Sequence, residues 1–407
     1  MQSTNCVSAA AREAAATSAA TVPEARLPIL ALLALASAGF ITILTEALPA
    51  GLLPQISADL GVPQSLAGQM VTIYAIGSLV ATIPLVALTR SWRRRPLLVA
   101  AISGFAVVNT VTAFSTDYAL TMAARFLAGV FAGLLWALAA GYASRMVAPE
   151  QQGRAIAIAM LGAPVALSIG IPAGTMLGAM TGWRLTFGAL SAMTVMLVGW
   201  VLLAVPDFPG ERTARRLSLS AVFRLPGIRP VLVVMFAAVL AHNILYTYIV
   251  PYLQPSGLAE NAGSVLLVFG VASLAVIPII GTLVDRHLRL LVLSTTALFA
   301  AAALLFAVFN EQQVTIYLGV ITWRLAFGGA PTLFQTASAK AAGAEADAAQ
   351  SMIVTGWNAA MAGGGLAGGL LLDSVGAGAL PAVVLAILLP ALVVAWFGRQ
   401  GFPRSAR

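Results

Sequence analysis

The feature that most constrains this chain is a recurrence of uninterrupted apolar runs of about 20 residues, separated by short segments that carry most of its charge. A run of that length crosses the ~30 Å hydrocarbon layer of a bilayer as an α-helix. Lipid offers no partner to an unpaired backbone group, so only helices and closed barrels span it. Barrel strands alternate polar and apolar residues over roughly ten positions, and these runs do not alternate. Composition points the same way. Of 407 residues, 60% are hydrophobic and 9% charged, against roughly 25% charged in a soluble domain. The sequence predicts an all-α membrane protein.

Twelve runs are long enough to span: 27–53, 65–88, 96–114, 118–142, 155–180 and 185–205, then 231–252, 265–284, 290–309, 314–336, 352–372 and 380–397. The tenth and eleventh are the most diluted by Gly, Thr and Gln. A polar, basic segment at 206–230 divides the runs six and six. The expected organisation is therefore a cytoplasmic tail (1–26), a six-helix bundle (27–205), a linker (206–230), a second six-helix bundle (231–398) and a short tail (399–407). The first tail is rich in Ala, Ser and Thr, lacks the apolar surface needed to order itself, and does not read as a signal peptide.

Twenty-one Arg and one Lys against 14 acidic residues give a net charge of +8. In a soluble protein that balance would suggest nucleic acid. Here the basic residues lie between apolar runs, so they read as topology signals and contacts to anionic lipid, and no nucleic-acid partner is expected. With a cytoplasmic N-terminus, 19 of the 22 basic residues fall on the inner side, all except Arg125, Arg184 and Arg324. Dropping any one helix would invert every later loop and destroy that bias. The prediction is a multi-pass protein of a bacterial inner membrane with both termini cytoplasmic. The single cysteine, Cys6, excludes an internal disulfide and a Cys-based metal site. Two histidines and no P-loop leave no cofactor, metal or enzymatic site to expect.

The two halves share landmarks at nearly constant offset. Asp285 stands 196 residues after Thr89, and Arg324-Leu-Ala-Phe-Gly328 echoes Arg125-Phe-Leu-Ala-Gly129 at 199. Glycine-rich stretches recur in the fifth run (Gly162 to Gly178) and the eleventh (Gly363 to Gly369). Parallel six-helix repeats imply a solute path between the halves.

From Leu27 to Phe397 the chain resembles the major facilitator superfamily, in particular its twelve-helix drug and metabolite:proton antiporters. The opening Thr45-Glu46-Ala-Leu-Pro49-Ala-Gly51-Leu-Leu-Pro54, with Ala58-Asp59-Leu60-Gly61 and Ala67-Gly68-Gln69, is similar to bacterial sugar, arabinose and purine-nucleoside exporters. Arg125-x-x-x-Gly129 fits the fourth-helix motif of that family. Gly170-Ile171-Pro172-Ala173-Gly174 resembles its fifth-helix antiporter motif, although it departs from G-P-x-x-G-G, and Gly182-Trp183-Arg184 follows as expected. The loop motif G-x-x-x-D-R-x-G-R is kept in the second half as Gly281-x-x-x-Asp285-Arg286-His287-Leu288-Arg289. In the first half Leu85, Thr89 and Trp92 replace its two Gly and its Asp. The resemblance implies two six-helix bundles around a central cavity, alternating access, and a cytoplasmic gate built on Asp285, Arg286 and Arg289 with Arg93 and Arg94 of the first-half basic run.

Among individual residues Glu46 stands out. An ionised carboxylate at mid-helix costs about 2.5–3.5 kcal/mol on insertion scales, so one that is kept usually has a function. Desolvation disfavours the charged form of a carboxylate, as proton coupling requires; the plainer reading is an acid near the interface that caps a neighbour. Arg125 lies roughly 12 Å deep at 1.5 Å per residue, at about the depth of Glu46. The two can pair for proton coupling only if the first and fourth helices adjoin, as the resemblance implies; the plainer reading of Arg125 is a structural charge held by helix carbonyls. Asn109, Trp136, His242, Asn243, Tyr246, Gln335, Trp357 and Asn358 are candidates for solute contact, each of them also suited to interhelical packing. Gly170, Pro172 and Gly174 read as a helix-packing and bending motif.

These readings favour a secondary transporter that exports a small organic solute (a drug, sugar or nucleoside) in exchange for protons. The alternative is an uncoupled facilitator or importer of the same fold. One chain suffices for a pathway, so a monomer is expected.

Overall fold

The computed structural model describes residues 27–89, 91–148, 151–210, 223–343 and 346–402. The first tail with Cys6, residues 211–222 of the linker and residues 403–407 lie outside the described residues. Every regular element among the described residues is helical.

The first half comprises a first helix, Ile29–Gly51, followed by the short helix Leu53–Leu60, then Gln64–Thr89, Arg94–Phe114 and Tyr118–Arg145. The fifth rod runs through Gln152–Met160, Gly162–Val165, a π-turn at Ala166–Gly170, and Ile171–Thr181; the sixth is Trp183–Ala204. The second half begins with Ile228–Thr247 and a terminal turn, Ile249–Tyr252. Its eighth and ninth rods form a single helical run, Ala262–Val308, broken at His287, where φ is −131°. The tenth rod is Gln313–Phe327 continued by Ala330–Ala342; Ala346–Val375 and Leu380–Phe397 complete the set. Among the described residues nine rods are long and apolar enough to cross a membrane. The second, tenth and eleventh rods bring the arrangement to twelve.

Each departure from a straight rod has a local cause. Pro49 lies inside the first helix and has no N–H, so the carbonyl of Thr45, four residues back, loses its helical donor. Pro172 follows the π-turn; widening the turn there relieves the clash between a proline ring and the carbonyl four residues earlier. The tenth run, read as one span, breaks after Phe327 because Pro331 lies in the first turn of the next segment and can supply no N–H to continue the helix. Gly182 links the fifth and sixth rods at φ +92°, a conformation only glycine adopts cheaply.

The packing repeats between halves. The second helix packs on the fourth and the third on the sixth, as the run of eighth and ninth rods packs on the tenth and twelfth. The fifth rod lies along the first, and the eleventh along the seventh. Glycines permit both contacts. A Cβ on Gly162 would lie 1.8 Å from the Ala36 carbonyl oxygen, and one on Gly364 would meet Asn243 Cβ at 2.6 Å. Between halves the second helix meets the eleventh, the fifth meets the eighth, and the first meets the seventh. Large apolar side chains such as Leu203, Met180 and Phe114 are exposed on the outside, as a lipid-facing surface requires.

Candidate functional site

An even number of rods leaves Leu27 and Phe402 on one side, here called the near side. Glu46 and Arg125 approach each other towards the far side. The first and fourth helices adjoin, as expected. The Arg125 guanidinium is fully buried and spends its donors on carbonyls: Nη1 to Thr45 at 2.5 Å, Nη2 to Glu46 at 3.2 Å and Nε to Met70 at 3.3 Å. The Thr45 carbonyl is the one left free by Pro49, so a proline in one helix and an arginine in another satisfy each other. The ring of Tyr74 lies 4.9 Å from the guanidinium, and its hydroxyl donates to the Thr42 carbonyl at 3.2 Å. Asn109 Nδ2 donates to Thr45 Oγ1 at 3.0 Å. Four helices are thereby tied at one point. Among the described residues the Glu46 carboxylate makes no ion pair with Arg125; the residue is half-buried and joins the tie through its backbone carbonyl alone.

In the second half, His242 and Tyr246 lie within an aromatic box. The His242 ring stacks on Phe327 at 3.9 Å between centroids and on Tyr246 at 5.2 Å, with Trp323 at 5.2 Å. Phe269 packs against Trp323 at 4.8 Å. Arg324, 4% exposed, is held over the Phe269 ring at 4.7 Å. Trp357 reaches the box through Phe327 at 6.0 Å.

The remaining candidates do not converge. Asn243 and Asn358 donate to carbonyls of their own helices, Val239 and Val354. Trp136 packs toward Gly39, and Gln335 is exposed in the near-side part of the tenth rod.

Residues 35–362 match the Major Facilitator Superfamily. The chain belongs to that superfamily. It is 32% identical over 353 residues to a chloramphenicol efflux pump of Mycobacterium tuberculosis (strain ATCC 25618 / H37Rv), covering 83% of this chain and 85% of that protein. It is 27% identical over 340 residues to the purine ribonucleoside efflux pump NepI of Escherichia coli O6:K15:H31 (strain 536 / UPEC), covering 82% and 85%. The fold is shared with a bacterial homolog of the human lysosomal transporter Spinster, inward-facing and unoccupied, at a TM-score of 0.71, 12% identity and coverage of 93% and 98%. It is also shared with a point mutant of the nucleoside transporter NupG, at 0.72, 14% identity and coverage of 93% and 100%. This is a multi-pass membrane transporter and not an enzyme.

Within this major facilitator, the halves join on the far side. Gln69 Nε2 donates to Tyr248 Oη at 3.1 Å and to the Gly365 carbonyl at 3.2 Å, and Tyr248 Oη donates to the same carbonyl at 2.9 Å. Ser168 and Ser273 hydroxyls share a hydrogen bond of 3.1 Å at the fifth and eighth rods. A cavity of about 520 Å³ lies between the halves beyond these contacts, lined by Gln55, Thr175, Met180, Gln254 and Glu260 among others. Two motifs far apart in sequence prove to be partners: Asp59 accepts from Trp183 Nε1 at 2.9 Å and pairs with Arg184 at 3.5 Å.

On the near side Arg93 pairs with Asp207 at 2.6 Å, within its own half. Asp207 also accepts from the Arg95 backbone N–H at 2.9 Å. Desolvation pushes the Asp207 carboxyl up, but the Arg95 amide and the Arg93 charge outweigh it and hold the group below its ordinary value. The Arg94 amide donates to the Phe208 carbonyl at 2.9 Å. Arg289 donates to the carbonyls of Trp396 and Phe402, and Arg286 is exposed. The Asp285 side chain lies outside the described residues. Gly170 and Gly174 pack on Leu44 and Leu48, with Pro172 buried between them.

Sequence reasoning missed Asp207, Phe269, Trp323 and the isolation of Arg324. One signal was available: the rule that singles out Arg125 as an intramembrane charge applies equally to its repeat-mate.

Proposed function

We propose that this transporter exports a small organic solute across a bacterial inner membrane in exchange for protons, with the near side cytoplasmic and Glu46 carrying the proton. The observation that carries the reading is the setting of Glu46. Its neighbouring arginine is committed to three carbonyls, so the carboxylate is not locked in an ion pair and stays free to gain and lose a proton. It lies in the first helix, which meets the seventh helix of the other half. A proton bound there acts where the two halves move against each other. The two relatives' export activities support the direction of transport, and the sequence bias of 19 basic residues to the segments read as cytoplasmic supports the orientation. Alternating access follows from rocking of the halves, joined through the linker, around the space between them.

The test is proton movement in proteoliposomes while candidate solutes are added, for wild type and Glu46→Gln. Solute-dependent proton movement in wild type, lost in the variant, is expected. Solute flux that ignores the pH gradient and survives the substitution identifies a facilitator instead.

A further inference from the structure

Arg324 is a buried cation in an unusual position. Among the described residues its guanidinium has neither a carboxylate nor a carbonyl partner, and its Nε is buried without a hydrogen bond. Two neighbours share that condition: Trp323 Nε1, on a side chain 1% exposed, and His242 Nδ1. A buried polar group left unpaired costs about 1–3 kcal/mol, and more when charged. The fold has shown how it satisfies an arginine of this kind, since the repeat-mate Arg125 has three carbonyls. At Arg324 it provides faces of aromatic rings and no acceptor. Three unsatisfied nitrogens, at least two of them obligate donors, belong to or adjoin one cluster of rings formed by His242, Tyr246, Phe269, Trp323 and Phe327. His242, partly exposed, forms the rim of this set, on the seventh helix that meets the first helix of the other half.

We infer that this box is the solute subsite of the second half, and that it takes a planar aromatic solute bearing a strong hydrogen-bond acceptor, such as a nitro or carbonyl oxygen or a ring nitrogen. The rings supply stacking for the plane, while Arg324 and Trp323 donate to the acceptor. The inference rests on the exchange reading above for one element, the charge of the solute. A bound anion would favour a protonated Glu46, so that proton and solute would travel together. Exchange therefore requires a neutral acceptor.

Isothermal titration calorimetry on the purified full chain tests this with three probes: 4-nitrobenzyl alcohol, its carboxylate isostere 4-(hydroxymethyl)benzoate, and benzyl alcohol. The nitro compound is expected to bind at least tenfold tighter than benzyl alcohol and no weaker than the carboxylate. Trp323→Phe keeps the ring and removes one donor; it should weaken the nitro compound three- to tenfold and leave benzyl alcohol unchanged. Arg324→Gln should erase the difference between those two probes. Equal binding of all three probes by wild type overturns the inference, as does wild-type affinity for the nitro compound in both variants. Tighter binding of the carboxylate overturns neutrality and assigns an anion site. Should Arg324→Gln fail to fold, Trp323→Phe decides. Failure of proton exchange with nitro-compound binding intact would count against the transport reading and not against the subsite.

Discussion

Arg125 and Arg324 stand 199 residues apart at matching places in the fourth and tenth helices, and the two halves use them in opposite ways. The first half surrounds its arginine with acceptors. Pro49 opens a carbonyl, Tyr74 covers the guanidinium, and the first, second and fourth helices are pinned to one another. The second half surrounds its arginine with rings and leaves the donors unspent. Duplication supplies the same residue twice; what each arginine does is set by the carbonyls and rings around it. One half has become rigid at this depth and holds the titratable acid, while the other keeps unsatisfied binding capacity.

The comparison breaks most easily at its strong end. Arg125→Gln removes three charge-assisted hydrogen bonds and leaves the Thr45 carbonyl without a donor. Hydrogen bonds to charged groups are worth about 1.5–3 kcal/mol each, and breaking a buried arrangement by removing one partner costs about 3–5 kcal/mol. The variant should be poorly folded, or should melt far below wild type in a detergent thermal-shift assay. Arg324→Gln removes a charge that has no carboxylate or carbonyl partner to lose among the described residues, and gives up the face of Phe269. Its melting temperature should match wild type or exceed it, by the equivalent of about 1 kcal/mol, since burying an unpaired charge is itself unfavourable. Equal destabilisation by the two substitutions would mean that the halves are not divided as described.

A smaller effect is expected where the halves meet. Tyr248→Phe removes a hydroxyl that receives from Gln69 and donates to Gly365, at the point where Gly68 leaves room for the tyrosine ring. A net loss of about 1 kcal/mol corresponds to roughly a fivefold shift toward a state open on the far side. A cysteine at Thr72, a buried neighbour of Gly365 on the second helix, should react that much faster with a membrane-impermeant maleimide added from the far side. An unchanged rate would show that this clasp does not bias the two states.

Much of this architecture was legible because lipid makes apolar length a strong signal. Nine of the twelve runs coincide with rods long and apolar enough to span among the described residues, and the break at His287 falls between the eighth and ninth runs as read. The tenth run was misjudged as continuous because hydropathy does not register Pro331. Within the site, charge was legible but its partner was not. Glu46 and Arg125 are conspicuous in apolar surroundings, yet the preference of Arg125 for carbonyls over the carboxylate depends on Pro49, whose effect appears only once the fourth helix is in place. The aromatic box was hidden for a different reason. Phe269, Trp323 and Phe327 are ordinary in a membrane helix, and only the tertiary fold brings them around one histidine.

The near side sharpens the comparison with the smallest effect. The second half keeps Asp285 and Arg286, while its Arg289 is spent on carbonyls of its own half. The first half has Thr89 where the motif has its acid, and Thr89 merely returns its hydroxyl to the Leu85 carbonyl at 2.6 Å. Asp207, at the end of the sixth rod, supplies the missing negative charge to Arg93 from a different direction. That pair ties the third helix to the start of the linker and bridges nothing between halves. Arg93 is largely exposed, so the pair contributes under about 1 kcal/mol. Because the Asp207 carboxyl is held below its ordinary value, its contribution is present above the usual carboxylate range, near pH 4, and fades as pH falls through the lowered folded value. Asp207→Asn should therefore lower the melting temperature slightly at pH 7 and converge with wild type in acid. A gap between the two proteins that widens on acidification would reverse the sign and exclude this pairing. A large loss of transport with normal stability would instead make Asp207 the acid of a first-half gate, restoring by position what Thr89 removes from the motif.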